Sequence, residues 1–210
     1  MAKDSGKHSN TRKYEHHFAS VSELMKGYRK WVESHFNEGF RMYLVTFKFN
    51  NIPGSIEYKR SEMLKQVEHQ FYPTLTKRVE SWPMKPSMQR NLPTLIAVPD
   101  MPVVKHSKKL SARVAKNNDG LHIHAIIAMP RTLRHPDGLK LKTLIRDNQH
   151  RFIGLFTSIS DIDIQRIKSR PNYVAGYALK NAKRNPAIMD DVLILPKSPE
   201  DVSPRQPIFK

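Results

Sequence analysis

Apolar residues along this chain switch between two spacings, and the order of the switches limits the fold more than any other feature. Helical spacing comes first. Val21, Leu24, Met25, Tyr28, Trp31, Val32 and Phe36 recur at three- and four-residue intervals, after a capping-box pattern that opens at Ser20 with Glu23 three positions on. "RMYLVTFKFN" (41–50) is rich in β-branched and aromatic residues, closes on the turn-like NNIPGS and predicts a strand. Met63, Leu64, Val67, Phe71, Leu75 and Val79 return to helical spacing, with Pro73 expected to kink or split that helix. "TLIAVPD" (94–100) predicts a short buried strand, and "GLHIHAIIAMP" (120–130) another, entered from the turn signal Asp119-Gly120. A helix over 138–150, an alternating strand over 161–168 and a helix opened by Pro171 complete the series.

Two strands joined in hairpin fashion thus sit between flanking strand–helix units. This order predicts an α+β domain: a central antiparallel sheet with helices packed mainly on one face. Residues 19–184 should form it, preceded by a basic, non-periodic arm over 1–18 and followed by a Pro-rich tail over 185–210.

Charge narrows the partners. The 210 residues include 36 Lys and Arg against 19 Asp and Glu, a formal net charge of +17. Such an excess favours polyanions, nucleic acid first and acidic membrane second. No stretch approaches the roughly 18 apolar residues of a membrane span, and MAKDSGKHSN lacks the apolar centre of a signal peptide. Cysteine is absent, so disulfides, thiolate metal sites and cysteine nucleophiles are excluded together, and any metal must be held by His, Asp or Glu. A reducing, cytoplasmic setting fits that composition. There is no G-x-x-x-x-G-K-[ST] run and hence no P-loop ATPase motif in the chain.

Two places carry chemistry. Side chains alternate along a strand, so His122 and His124 share one face while Leu121, Ile123, Ala125 and Ile127 share the other. Two imidazoles at that spacing can grip one metal ion; exposed strand histidines without a ligand are the plainer alternative. In "YVAGYALK" (173–180), Tyr173, Tyr177 and Lys180 stand at i, i+4 and i+7, one stripe of a helix at about 100° per residue. A packing face is the plainer reading there, but Val174 and Leu179 already supply apolar surface off the stripe.

"HIHAII" followed about 50 residues later by "YVAGYALK" resembles the second and third motifs of the HUH (His-hydrophobic-His) endonucleases. "YLVTFKFN" (43–50) is similar to their less specific first motif. The order, histidines before tyrosines, is that of rolling-circle replication initiators and related transposases, and the paired tyrosines resemble those of certain phage initiators. The resemblance implies a ferredoxin- or RRM-like sheet and a divalent ion, Mn²⁺ or Mg²⁺, on His122 and His124. A third, usually acidic, ligand is expected on the preceding strand: Asp100 ends that strand, with His106 and Asp119 as alternatives. It further implies a tyrosine nucleophile, Tyr177 first because Lys180 completes a Y-x-x-K with it, Tyr173 second.

The expected activity is therefore nicking and rejoining of single-stranded or hairpin DNA through a 5′-phosphotyrosyl intermediate, initiating replication or transposition of a mobile element, phage or plasmid. A separate helicase and host replication proteins would be needed. Lys105, Lys108, Lys109, Arg113, Lys116, Lys183 and Arg184 would meet phosphate. Two rival readings use fewer of the residues. A non-catalytic nucleic-acid-binding module with an RRM-like sheet leaves the histidines idle, and a metal hydrolase with an activated water leaves the tyrosine stripe unexplained.

Overall fold

Strand β1 (Arg41–Phe49) is the axis of the sheet, paired with β3 (His122–Met129) on one side and β4 (Ile159–Arg166) on the other. β2 (Thr94–Asp100) lies outside β3, and β5 (Leu193–Leu195) outside β2. Every pairing is antiparallel and the order is β4-β1-β3-β2-β5. The protein is seen in a computed structural model that describes residues 9–101, 118–131, 139–154 and 157–197.

Between the first four strands lie α2 (Ile56–Gln66), α3 (Tyr72–Val79), α4 (Leu141–Asp147) and α5 (Gln149–Phe152). The chain therefore runs β–α–β–β–α–β, the split arrangement of ferredoxin-like folds. The antiparallel α+β class expected from the order of apolar spacings is the class observed.

Alternation along the strands divides the interior in two. Tyr43, Val45, Phe47 and Phe49 of β1, with Leu95, Ala97, Ile123, Ala125 and Ile127, bury one sheet face under Phe71, Leu75, Leu141, Ile145 and Phe152 of the helical layer. This is the larger core. The opposite face is also covered: α1 (Ser9–Asn37), α6 (Pro171–Ala178) and α7 (Lys180–Arg184) pack there in two smaller clusters. Met25 and Leu179 meet Ile96 and Val98 in one; Val32, Ala175 and Ala178 meet Met42, Ile126 and Ala128 in the other. The histidine face is thus roofed over much of its area rather than open.

Local chemistry explains several departures from the sequence reading. α1 begins at Ser9, not at the capping-box Ser20, so helix reaches back into the span expected as an arm. Pro73 falls in the first turn of α3, and the helical run divides just ahead of it, the split expected of it. Having no N–H to give and a ring that would strike the carbonyl four residues back, the proline is accommodated by a π-helical turn at Val67–Phe71 just ahead of it. The segment expected as a tail joins the sheet at its start: Leu193 and Leu195 are buried, and Leu193–Leu195 completes β5 against Leu95–Ala97. Three alternating residues are too short a pattern to separate from Pro-rich coil. Pro99 falls beyond the end of β5, where β2 is an edge on that side and a missing donor is tolerated. Among the described residues no helix is long and apolar enough to cross a membrane.

Candidate metal centre

The site starts from strand register. Asp100 lies opposite His122 and Val98 opposite His124 across β2 and β3, while Thr46 of β1 lies opposite His124 on the other side. Residues directly opposed in an antiparallel pair share a face, so Asp100, His122, His124 and Thr46 all project toward α6 and α7. Three consecutive residues, Asn118, Asp119 and Gly120, take left-handed backbone angles and turn the chain into β3. Asn118 holds that turn in place: its buried side chain accepts from the Ile52 amide at 2.8 Å and donates to the Asn50 carbonyl at 2.9 Å.

Within this frame Asp100, His122 and His124 each offer a ligand atom within 4.8 Å of the others. Oδ2 of Asp100 is 3.2 Å from Nε2 of His124 and 3.6 Å from Nε2 of His122, and the two Nε2 atoms are 3.2 Å apart. Asp100 and His124 are buried and His122 is partly exposed, so the cluster has one open side. Nδ1 of His122 donates to the Gly120 carbonyl at 2.9 Å; a carbonyl can only accept, so in the neutral ring the Nε2 lone pair faces the cluster. Nδ1 of His124 lies 3.1 Å from Thr46 Oγ1, the same kind of outward tether.

Electrostatics keep two of the donors, Asp100 and His122, in ligand form. Burial alone would push the Asp100 carboxyl up, but hydrogen bonds from His124 and Lys180, with the Lys180 charge, outweigh it and hold Asp100 below the ordinary carboxylate value. Burial, aided by the neighbouring His124 and Lys180, pushes His122 down from its ordinary value despite the Gly120 carbonyl and Asp100. Oδ1 of Asp100 is buried and has no hydrogen-bond partner among the described residues. A deprotonated carboxylate with an orphaned buried oxygen, beside two imidazole nitrogens, is a set of donors that could hold a metal ion.

The tyrosine segment meets this cluster from above. α6 ends at Ala178, and Leu179 breaks the helix before α7, so Tyr177 and Lys180 flank the break. Lys180 Nζ reaches Asp100 Oδ2 at 2.8 Å, and the same ammonium lies 4.3 Å from the Tyr177 ring centroid. The Tyr177 ring is 5.4 Å from that of His124. Asn181, next along, donates to the Pro99 carbonyl at 3.3 Å and ties α7 to the strand that carries Asp100. Tyr173, one turn earlier on the same stripe, is 73% exposed, and its side chain makes no ring or hydrogen-bond contact among the described residues. The Arg29 guanidinium passes so close over Gly176 that a Cβ there would lie 2.8 Å from its Nη2, which brings α1 up against the tyrosine helix.

Of the residues singled out from the sequence, His122, His124, Asp100, Tyr177 and Lys180 are brought together, and Tyr173 stands apart at the rim. Asp119, an alternative third ligand, is not in the cluster; its carboxylate pairs with Lys59 at 2.8 Å. His106 and the cations Lys105, Lys108, Lys109, Arg113 and Lys116 lie outside the described residues. Lys183 and Arg184 are exposed on α7. Thr46 and Asn118 were not legible as site residues. Alternation places Thr46 off the core face of β1, but only the register between β1 and β3 sets it against His124.

Compared with models of known protein families, with curated proteins and with solved structures, the chain matches none.

Proposed function

We propose that this protein is a metal-dependent enzyme that nicks and rejoins single-stranded or hairpin DNA, in the manner of the HUH endonucleases its motifs resemble. One observation carries the reading. Tyr177 and Lys180, some 50 residues beyond the histidines in sequence, meet the Asp100–His122–His124 cluster in space, with Lys180 Nζ at 2.8 Å from Asp100 and the Tyr177 ring at 5.4 Å from that of His124. A metal hydrolase working through water has no need of a phenol at that place. An RNA-recognition module needs an open sheet face for stacking bases, and here helices pack on both faces.

Each group has a definite task in that chemistry. His122, His124 and Asp100 would hold a divalent ion, which supplies Lewis-acid polarisation of the scissile phosphate. Tyr177 gives up its phenolic proton and attacks phosphorus; the P–O3′ bond breaks, the 3′ oxygen takes a proton, and a 5′-phosphotyrosyl bond forms. Lys180, between Asp100 and the phenol, offsets charge on the phosphate in the transition state. The phosphotyrosyl bond conserves the energy of the diester, so rejoining needs no nucleotide cofactor. Tyr173, on the same stripe, offers a second nucleophile for a second cleavage.

The setting we propose is the cytoplasm, on DNA of a phage, plasmid or transposable element, with a separate helicase opening the duplex. The test is a covalent adduct. Protein incubated with pooled single-stranded oligonucleotides and Mn²⁺ should yield a denaturant-resistant protein–DNA species that excess chelator abolishes; adduct formation at full yield in chelator overturns the reading.

A further inference from the structure

The two tyrosines of α6 differ in what stands three residues after them. For Tyr177 it is Lys180, whose ammonium lies 4.3 Å from the Tyr177 ring centroid. For Tyr173 it is Gly176, which has no side chain. Residues three apart on a helix are neighbours on its surface. Tyr173 therefore lacks, within its own helix, the cation that Tyr177 has.

Another element fills the gap. Arg29 of α1 lays its guanidinium over Gly176: a Cβ built there would stand 2.8 Å from Nη2, 3.3 Å from Cζ and 3.4 Å from Nε. These are the nearest atoms a side chain at 176 would meet, so any larger residue would push the guanidinium aside. Gly176 is not among the glycines with left-handed backbone angles, and inside a helix alanine would be the more stabilising choice. What glycine provides here is room for Arg29.

That guanidinium is held but not neutralised. Arg29 is exposed and makes no ion pair among the described residues, not even with Glu33 one turn on in α1, whereas Arg60 and Arg146 each have an aspartate partner. A planar fork of N–H donors with fixed positive charge matches the oxygens of a phosphate.

We propose that Arg29 binds the phosphodiester on which Tyr173 acts, and so does for Tyr173 what Lys180 does for Tyr177. The inference rests on the nicking reading of this site. In the second cleavage the Tyr173 phenol gives up its proton and its oxygen bonds phosphorus; the P–O3′ bond breaks and the 3′ oxygen takes a proton. Arg29 enters no bond. Its guanidinium offsets the charge gathered on the phosphate oxygens in the transition state.

The experiment compares Arg29→Ala, Gly176→Ala and the double variant Arg29→Ala, Gly176→Lys with wild type. Lys142→Met, on α4 in the helical layer of the larger core, is the charge control. Gly176→Ala keeps every charge and adds a better helix former, so its thermal melt should be no lower than that of wild type. The substrate is a single strand carrying two copies of the sequence recovered from the first adduct, with Mn²⁺. Arg29→Ala and Gly176→Ala should keep the first adduct and lose the second cleavage by at least about tenfold. The added Gly176→Lys change should restore it by placing a cation three residues after Tyr173. Normal second cleavage in either single variant, or equal loss of both cleavages, overturns the proposal. A second readout needs no catalysis: anisotropy of a fluorescent oligothymidine over a range of salt, in excess chelator. Both single variants should show a slope shallower by about 0.7 unit, one phosphate contact on a single strand, and Lys142→Met should not. An unchanged slope in both, or the same change in Lys142→Met, also overturns the proposal. No adduct from wild type removes the nicking reading and with it the role at Tyr173; the slope then still reports whether Arg29 holds phosphate.

Discussion

Lys180 Nζ and the imidazoles of His122 and His124 converge on a single oxygen, Oδ2 of Asp100, with Lys180 the nearest at 2.8 Å. Lysine and a bound divalent cation would both lie against the same carboxylate, so each weakens the hold of the other. Replacing Lys180 by Met keeps the stem and removes the charge. Metal-free protein should then lose roughly 1–3 kcal/mol, because a buried carboxylate has lost its cation; the exposed side of Lys180 keeps the cost at the low end. Mn²⁺ affinity should rise, while adduct formation falls. Calorimetric titration with Mn²⁺ alone reads the affinity, and a weaker Kd in Lys180→Met would contradict the shared-oxygen argument.

Tyr177 and Tyr173 should separate in function. Tyr177 approaches His124, while Tyr173 points away at 73% exposure. Phenylalanine removes the nucleophilic oxygen and almost no volume. In the proposed chemistry Tyr177→Phe should lose covalent adduct by at least about 10²-fold, whereas Tyr173→Phe should retain the first adduct and fail in successive cleavage and rejoining. The reverse pattern on a denaturing gel would exchange their roles; full adduct from both variants would remove this helix from the mechanism.

What was legible in the sequence follows from which interactions are local. Period-two alternation placed His122 and His124 on one face, and the period of a helix aligned Tyr177 with Lys180, because each pattern is set by backbone geometry within a few residues. Asp100 could be offered only alongside His106 and Asp119, since the Asp100–His122 register depends on pairing between strands separated by a long excursion. The break at Leu179 that aims Lys180 at Asp100 carries no glycine or proline to announce it. The covering of the histidine face has a related cause: apolar spacing gives α1 a packing side, with Met25, Tyr28, Trp31, Val32 and Phe36, but only tertiary structure decides which face of the sheet it meets.

Thr46 should act as a positioning residue for the metal centre. Its Oγ1 lies 3.1 Å from His124 Nδ1, so with a metal on Nε2 the Nδ1–H can donate to the hydroxyl and fix the ring. Thr46→Val keeps the shape and deletes the acceptor. Mn²⁺ affinity should fall about 10–100-fold, and Thr46→Ser should restore most of it. Calorimetry on the two variants decides; equal affinity in Thr46→Val and wild type would leave the hydroxyl a packing contact only.

Acid should weaken the metal-free protein in two stages, and the sign follows from the direction of two shifts. His122 is held below its ordinary value, first by burial and then by the charges of His124 and Lys180, so the unfolded chain takes up its proton before the folded chain does. The unfolded state then binds more protons, and stability drops as pH falls. The His122 contribution is complete above about pH 6.5 and is lost as pH falls through the lowered folded value. Asp100 follows at lower pH. Burial would raise it, but the hydrogen bonds from His124 and Lys180 prevail, so its folded value too lies below the unfolded one and its contribution is lost as pH falls below about 3.8. Urea melts of chelator-treated protein at intervals from about pH 8 to pH 3 should show the first decline begin near pH 6.5. His122→Gln should flatten that first stage and leave the second, because glutamine keeps a polar group at the site and has no proton to gain. Stability that is level or rising as pH falls from about 7 to 5 would show that His122 is not held neutral by its surroundings.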